Sequence, residues 1–260
     1  MLPPWTGATL SDPHPLNLLI RKLATHAVLS TEDRDAVLGL SYTARTMEAG
    51  TYLVREGDPP TRCGVLMSGF AYRQKHTGDG QRQIVGLNIP GEAVDFQNLY
   101  LDVSDHSVQM LTRGEVAFVP RTDFQEVIRH HAGLAHAILI NVLVEGSIFR
   151  EWVVNVGRRD ARTRMAHLLC EFAIRMEAQG LAGPDGFELP ITQEQLADAV
   201  GLTPVHVNRT LKALDTAGLI TRNKRSIRFP AWERMREVAD FNQRYLHLTP
   251  QERSAFPPQL

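Results

Sequence analysis

The sequence is poor in cysteine, with only 2 among 260 residues, Cys63 and Cys170. The two thiols lie far apart, and neither belongs to a CxxC pair, the usual spacing of a redox or metal site. A disulfide framework like that of small secreted proteins is therefore not expected. We expect Cys63 to pack inside the first domain and Cys170 to pack in a helix of the second.

The sequence also lacks the marks of a membrane or exported protein. No apolar run approaches the roughly 20 residues that a helix needs to cross a bilayer. Residues 1–5 do not show the basic and then apolar pattern of a signal peptide. We therefore expect a cytoplasmic protein that has no membrane partner.

Motifs of enzyme chemistry are missing as well. No cluster has metal-ligand spacing, and no glycine-rich loop that would hold a phosphate opens a helix. Glu145-Gly146-Ser147 lies within a predicted helix, whereas a hydrolase nucleophile lies at a turn between a strand and a helix. An enzyme is the function class that the sequence supports least.

Charge is spread unevenly along a chain whose net charge is only −1. Residues 1–157 carry 13 basic and 17 acidic side chains, whereas residues 158–230 carry 11 basic and 8 acidic ones. A local basic excess fits contact with nucleic acid, although a solvated basic surface gives the same pattern. The length allows two domains, and the basic one comes second.

The first half reads as short helices followed by a β-roll. Residues 14–40 show an apolar helical stripe, and Ser30-Thr31-Glu32-Asp33 resembles a helix start. From residue 43 to 120, short β-branched or aromatic runs alternate with glycine and proline turns, as in a small antiparallel barrel or roll. The predicted strands are 51–55, 64–67, 70–75, 81–88, 106–111 and 115–119.

A long helix is predicted from about residue 134 to 156, and Gly157 is predicted to end it. Ile138, Asn141, Ile148, Trp152 and Asn155 lie near one seam, while a neighbouring apolar stripe holds Val142, Phe149, Val153 and Val156. Two apolar faces need two partners, so we expect one face to cover the roll and the other to pair with a second copy. The alternative is a helix wholly buried in one globule.

The third segment carries a helix-turn-helix pattern. Thr192-Gln193-Glu194-Gln195 forms a capping box, so a helix should begin there. Gly201 supplies a tight turn, Thr203 is a good N-cap, and Pro204 suits the first position of a second helix. Residues 217–220 then read as an apolar strand, 222–225 as a basic turn and 226–229 as a return strand.

The second helix of this pair turns residue types outward that can read DNA bases. Arginine bonds guanine, asparagine bonds adenine and an apolar side chain touches the thymine methyl in the major groove. The basic turn would contact phosphates. The alternative is an interaction module with a solvated basic face. The candidate DNA-binding residues are Thr192, Thr203, Val205, His206, Asn208, Arg209, Lys212, Arg222, Lys224 and Arg225.

From about Leu16 to Phe229 the sequence resembles the Crp/Fnr family of transcription regulators. The likeness is strongest over residues 195–203 and 207–212 and at Gly218-Leu219-Ile220. In the first domain it rests on turn residues: Gly50, Glu56-Gly57-Asp58, Ser68-Gly69, Gly78-Asp79-Gly80 and Pro90-Gly91. The resemblance implies a cyclic-nucleotide-type β-roll, a palindromic DNA site bound by a homodimer and, for an activator, contact with RNA polymerase.

The family's sensor residues are altered in this chain. Asp95-Phe96 stands where cyclic AMP binders carry Gly-Glu, and His106-Ser107 stands where they carry the Arg-Ser pair that holds the phosphate. Phe149 and Arg150 replace hydroxyl residues of the long helix. Two cysteines cannot supply the four ligands of an iron–sulfur cluster, and the histidines, including His76, His130 and His131, are read as surface or capping residues. We therefore expect no cofactor.

The sequence as a whole predicts an α+β protein: an N-terminal antiparallel, jelly-roll-like β-roll, a long dimerisation helix and a C-terminal winged helix-turn-helix. The predicted divisions are 14–132 for the roll with its flanking helices, 133–157 for the long helix, 158–230 for the DNA-binding domain and 231–260 for a final helix and tail. The alternative function is a small-molecule sensor, for a cyclic nucleotide or haem, whose main activity is ligand binding.

Overall fold

The structure, a computed structural model, describes residues 14–182, 186–223 and 225–248. Lys224, one of the candidate DNA-binding residues, lies outside the described residues, as does the predicted tail from residue 249 onward. The helices are α1 (Asn17–Ala24), α2 (Thr31–Leu38), α3 (Arg121–His130), α4 (Ala132–Arg158), α5 (Ala161–Ala178), α6 (Gln193–Val200), α7 (Pro204–Thr216) and α8 (Trp232–Val238).

Two antiparallel sheets form the predicted roll. One has the strand order β1-β7-β3 and the other β2-β6-β4-β5. Side chains from both sheets share one apolar cluster, which includes Leu66, Val108 and Phe118. The strands are β1 (Thr43–Met47), β2 (Tyr52–Val54), β3 (Arg62–Leu66), β4 (Ala71–His76), β5 (Arg82–Asn88), β6 (Ser107–Met110) and β7 (Gly114–Pro120).

Strand β1 was not among the predicted strands. Its sequence, Thr-Ala-Arg-Thr-Met, shows no alternation of apolar and polar residues, because neither side of the strand is buried: the first four residues are exposed and the fifth is half-buried. The strand exists because it pairs with β7 in a regular register from Thr43–Phe118 to Met47–Gly114. The other six strands confirm the predicted ones to within two residues at either end.

Helix α4 is longer than predicted, and Gly157 does not end it. Gly157 lies inside the last turn, and the helix continues to Arg158. The helix ends at Arg159, whose backbone is extended. It ends there because Asp160 caps the next helix, accepting hydrogen bonds from the backbone N–H groups of Arg162 and Thr163. The boundary is therefore set by the N-cap of α5.

Helix α4 also corrects the expectation that no apolar run is long enough for a bilayer. By length and composition alone its 27 residues could cross a membrane, although only a small share of the apolar stretch is buried. Leu134, Ala137 and Ile138 pack on the roll and on α1, while Trp152 joins the core of the second domain. A helix that packs against two domains is apolar for that reason alone, so the composition of α4 does not by itself indicate a membrane span.

The last domain consists of α5 to α8 and a small sheet of strand order β8-β10-β9, whose strands are β8 (Phe187–Glu188), β9 (Thr221–Asn223) and β10 (Ser226–Arg228). The prediction of a strand over 217–220 is wrong. Gly218 takes a left-handed φ of +68°, and the Leu219 N–H donates to the Leu214 carbonyl, which closes the end of α7. Leu219 and Ile220 are buried core residues, so their apolar run reflects packing. The return strand ends at Arg228, one residue before the predicted end.

Candidate functional site

Helix α6 begins at the predicted capping box. The Thr192 hydroxyl accepts from the Gln195 N–H at 3.2 Å, and the Gln195 side chain accepts from the Thr192 N–H at 3.0 Å. Leu196, Ala197 and Val200 are buried, so the inner face of α6 is held by the core. Thr192 itself is exposed at the start of the helix.

Gly201 makes the turn between α6 and α7 in a left-handed conformation, with φ 62° and ψ 44°. A side chain at this φ would be strained, which is why the turn needs glycine. The next residue closes the turn, because the Leu202 N–H donates to the Ala197 carbonyl at 3.0 Å. The two helices are thereby set at a fixed angle.

Helix α7 starts as predicted. The Thr203 hydroxyl accepts from the His206 N–H, and Pro204 occupies the first turn. Val207, Leu211 and Leu214 are buried, and these are the residues expected to face the core. The helix is therefore anchored along one side, and the other side is free to meet a partner.

The free side of α7 presents every residue that the sequence assigned to it. The Val205 side chain is 72% exposed, which is unusual for an apolar residue on a well-packed helix. The charged and amide side chains beside it lie on the same surface of the domain. We call this surface the α7 face; its exposed residues are Val205, His206, Asn208, Arg209 and Lys212.

The β9–β10 hairpin lies after α7. Asn223 pairs with Ser226 and Arg222 pairs with Ile227, whose buried side chain fixes the hairpin to the domain. Arg222 and Arg225 are exposed. The hairpin therefore presents positive charge on a rigid support.

Two arginines that position the α6–α7 pair were missed by sequence reasoning. Arg164 of α5 donates to the Val200 carbonyl at the end of α6, at 2.6 Å, and to the Arg159 carbonyl at 3.0 Å. Arg82 of the roll donates through Nε to the Asp198 carboxylate of α6 at 2.7 Å. Gln83, beside it, donates to the Asp198 carbonyl at 2.7 Å. Strand β5 of the roll is thus hydrogen-bonded directly to α6.

The sensor positions of the roll hold buried charges. A gap of 3.5 Å separates the Asp95 carboxylate from His106 Nε2, and both side chains are almost fully buried. Burial raises the pKa of Asp95 to about 6, although Arg73 and His106 oppose the shift. The Arg73 guanidinium donates to the Val94 carbonyl at 2.8 Å and pairs with Glu145 of α4 at 3.3 Å.

Phe149 and Arg150, the altered positions of the long helix, are both exposed. Arg150 donates to the Ser147 hydroxyl on its own helix at 2.8 Å. Both cysteines are buried free thiols, as expected, and burial raises the pKa of Cys63 to about 12. Within the described ranges, no three His, Cys, Asp or Glu residues group as metal ligands would.

Comparison with known proteins matches both halves of the chain. Residues 163–238 match the model of the Crp-like helix-turn-helix domain, and residues 44–131 match the cyclic nucleotide-binding domain. The chain is 30% identical over 224 residues to the transcriptional activator protein FnrL of Cereibacter sphaeroides, covering 85% of this chain and 89% of the relative. It is 27% identical to the nitrogen fixation regulation protein FixK of Rhizobium meliloti, over 75% of this chain and 86% of the relative.

A solved structure, that of FixK2 from Bradyrhizobium japonicum, shares the fold. The two structures align with a TM-score of 0.70 at 22% identity, over 76% of this chain and 98% of the other. The likeness therefore covers about three quarters of this chain and nearly all of the other.

Proposed function

Because the chain belongs to the Crp/Fnr family of transcription regulators, we propose that two copies of it bind a two-fold symmetric DNA site, each placing α7 in the major groove. The protein is a DNA-binding transcription regulator of this type. The α7 face carries the proposal, since it joins hydrogen-bonding, basic and apolar side chains on the outer side of an anchored helix.

Base reading is assigned to the α7 face. Arg209 would bond guanine, Asn208 would bond adenine and Val205 would meet a thymine methyl. His206 and Lys212 flank these three on the same face. Thr192 and Thr203 stand at the N-termini of α6 and α7, where exposed threonines and backbone N–H groups suit phosphate oxygens.

Phosphate contact is assigned to the hairpin after α7. Arg222 of β9 and Arg225 are exposed there, and Lys224 lies between them in the sequence. The predicted basic turn thus begins only after Asn223. Such contacts hold the domain on the duplex without reading its sequence. They should make binding depend on salt.

Homodimerisation is assigned to the outer side of α4. An apolar stripe there is exposed in the single chain; it consists of Leu139, Leu143, Phe149, Val153 and Val154. A second copy of the same stripe across a two-fold axis would cover it. Two α7 helices would then lie roughly one helical turn of DNA apart.

The remaining assignments follow from this reading. We assign 14–132 to the roll, 133–157 to the dimerisation helix, 158–230 to the DNA-binding domain and 231–260 to the final helix and tail. The FnrL relative is a transcriptional activator, which supports RNA polymerase as a further partner and the cytoplasm as the location. A cyclic phosphate is not proposed as a ligand, because the buried Asp95 carboxylate would repel it and His106 lacks the two-pronged contact of arginine.

The assignment is tested by replacing Arg209 with alanine. The operator is first selected from a random duplex pool, and affinity is then measured by fluorescence anisotropy at fixed salt. We expect Arg209→Ala to lose about 1 to 3 kcal/mol on the selected operator and to tolerate base changes at one position of each half-site. Arg129→Ala is the control, because this arginine is 64% exposed on α3, away from the α7 face. Equal affinity and equal specificity for Arg209→Ala and the parent would refute the base-reading role.

A further inference from the structure

The chain continues past the matched helix-turn-helix domain, which ends at residue 238, into a segment that folds back over both domains. We call residues 239–248 the strap. Its apolar side chains Phe241, Leu246 and Leu248 are each at most 6% exposed. A short 3-10 helix, Gln243–Leu246, supports them. The strap is therefore packed into the core of the molecule.

The strap is bonded to α5, the first helix of the DNA-binding domain. His167 donates a hydrogen bond through Nδ1 to the Ala239 carbonyl at 3.2 Å. The Tyr245 hydroxyl donates to the Glu171 carboxylate at 2.9 Å, and its ring stacks on His167. Trp152 of α4 donates its indole N–H to the same carboxylate at 3.0 Å. Glu171 thus joins α4, α5 and the strap.

The strap is also bonded to the hinge between α4 and α5. The hinge consists of two residues, Arg159 and Asp160. The Arg159 guanidinium is 10% exposed and lies between Glu151 of α4, at 2.6 Å, and Asp240 of the strap, at 3.2 Å. Rotation at the hinge would pull this guanidinium away from at least one of its two carboxylates.

The far end of the strap reaches the roll side of the molecule. His26, which follows α1, donates through Nδ1 to the His247 carbonyl at 3.2 Å. His247 Nε2 lies 3.4 Å from the Ser147 hydroxyl of α4. The strap therefore spans the hinge, with contacts to the DNA-binding domain at one end and to α4 and the α1 side at the other.

We propose that the strap locks the hinge and so holds the two α7 helices of a dimer at the separation that a two-half-site operator requires. This inference rests on the proposed dimeric DNA binding. The strap bonds described above go to His26, α4, α5 and the hinge, and none of them joins a residue of the α7 face. The strap should therefore affect the spacing of the two α7 helices and leave the base contacts within each half-site unchanged. The affinity of a dimer for two half-sites depends steeply on whether both DNA-binding domains can reach their half-sites without strain.

The test uses Asp240→Asn combined with Tyr245→Phe, a pair that removes the charge facing Arg159 and the hydroxyl that bonds Glu171 and keeps the apolar side chains of the strap. Asparagine is chosen because Asp240 has a left-handed φ of 48°, where alanine would be strained. The matched control, Tyr100→Phe with Asp102→Asn, makes the same two changes at exposed positions of the roll. Affinity is measured on a duplex with two half-sites and on one with a single half-site. We expect the strap variant to lose at least about tenfold on the two-half-site duplex and less than about twofold on the half-site.

A distance measurement separates spacing from loss of fold. A spin label at Arg234→Cys, on the exposed side of α8, reports the separation of the two DNA-binding domains, because Cys63 and Cys170 are buried. The parent should give a narrow distribution and the strap variant a broad one. Equal losses on both duplexes, or an unchanged distribution, would overturn the strap's role. A parent that does not prefer the two-half-site duplex would instead overturn the dimeric DNA binding itself.

Discussion

Asp95 is a buried carboxylate whose Oδ2 has no hydrogen-bond donor among the described residues. Its nearest partner, His106, lies 3.5 Å away and is itself bonded to the exposed Asp105 at 2.8 Å. Burial raises the pKa of Asp95 from 3.8 to about 6. A group whose pKa is higher in the fold than in the unfolded chain favours folding only when it is protonated. At neutral pH this carboxylate therefore works against the fold.

Asp95→Asn should stabilise the protein at pH 7.5 by about 1 to 2 kcal/mol, because the amide removes a charge that the site does not fully pair. The gain should shrink as the pH falls through 6 and vanish below about 3, where Asp95 is protonated in both states. Urea unfolding at several pH values measures it. Asp105→Asn is the control and should not stabilise the protein, because a hydrogen bond from His106 lowers the pKa of that exposed carboxylate and so favours its charged form in the fold. A less stable Asp95→Asn at pH 7.5 would contradict the expectation.

Single residues also show what a sequence can and cannot predict. The caps at Ser30, Thr192 and Thr203 were predictable, because each bonds a backbone group only three residues away. Arg82 and Arg164 were not, since their partners in α6 lie 116 and 36 residues away along the chain. Nothing in local spacing marks such pairs. The exposed face of α7 was therefore predictable from sequence, and the side chains that hold α6 and α7 in place were not.

Helix α4 is the element whose pattern was read only in part. Two apolar faces were predicted, and Ile138, Asn141, Trp152 and Asn155 of the first seam are indeed buried. The second face differs from the predicted stripe, because Val142 and Val156 are half-buried while Leu139 and Leu143 are exposed. Contacts with the roll and the strap decide which side of α4 stays exposed, and helical periodicity alone does not reveal where those contacts fall.

The exposed stripe of α4 predicts the assembly state. Val153 is 73% exposed, so Val153→Glu should leave the single chain folded but place two carboxylates in a dimer interface. We expect a monomer by sedimentation velocity, with a loss of two-half-site binding. Thr122→Glu on the exposed side of α3 serves as the control for added charge. A variant that sediments like the parent would rule out this face as the dimer contact.

The roll and the DNA-binding domain are joined by buried charges as well as by the hinge. Arg175 of α5 donates to Glu92 of the roll at 3.0 Å, and Lys22 of α1 lies 3.0 Å from the same carboxylate. Burial alone would raise the pKa of Glu92, but the two cations lower it to about 2. The order of the domains was predictable from composition and turns, whereas this junction depends on residues that only the tertiary fold brings together.

His26 makes the stability of the whole molecule depend on pH. Burial, helped by the nearby Lys22, lowers the pKa of His26 from 6.5 to about 4. Between these two values the unfolded chain binds a proton that the folded protein does not, so the free energy of unfolding should fall as the pH drops from 6.5 toward 4. His26 also donates to His247 of the strap at 3.2 Å, and glutamine keeps a donor there.

The contribution of His26 is isolated by comparing the parent with His26→Gln in urea unfolding at pH 7.5 and 4.5. The parent should lose about 1 to 2 kcal/mol more than the variant over this range, a value that allows for the partial exposure of the ring. His130→Gln is the control for the substitution itself, because this side chain is 65% exposed on α3 and lies outside the strap contacts. Parallel curves for the parent and His26→Gln would show that this ring takes up its proton equally in both states, and the pH dependence would then have to come from other groups.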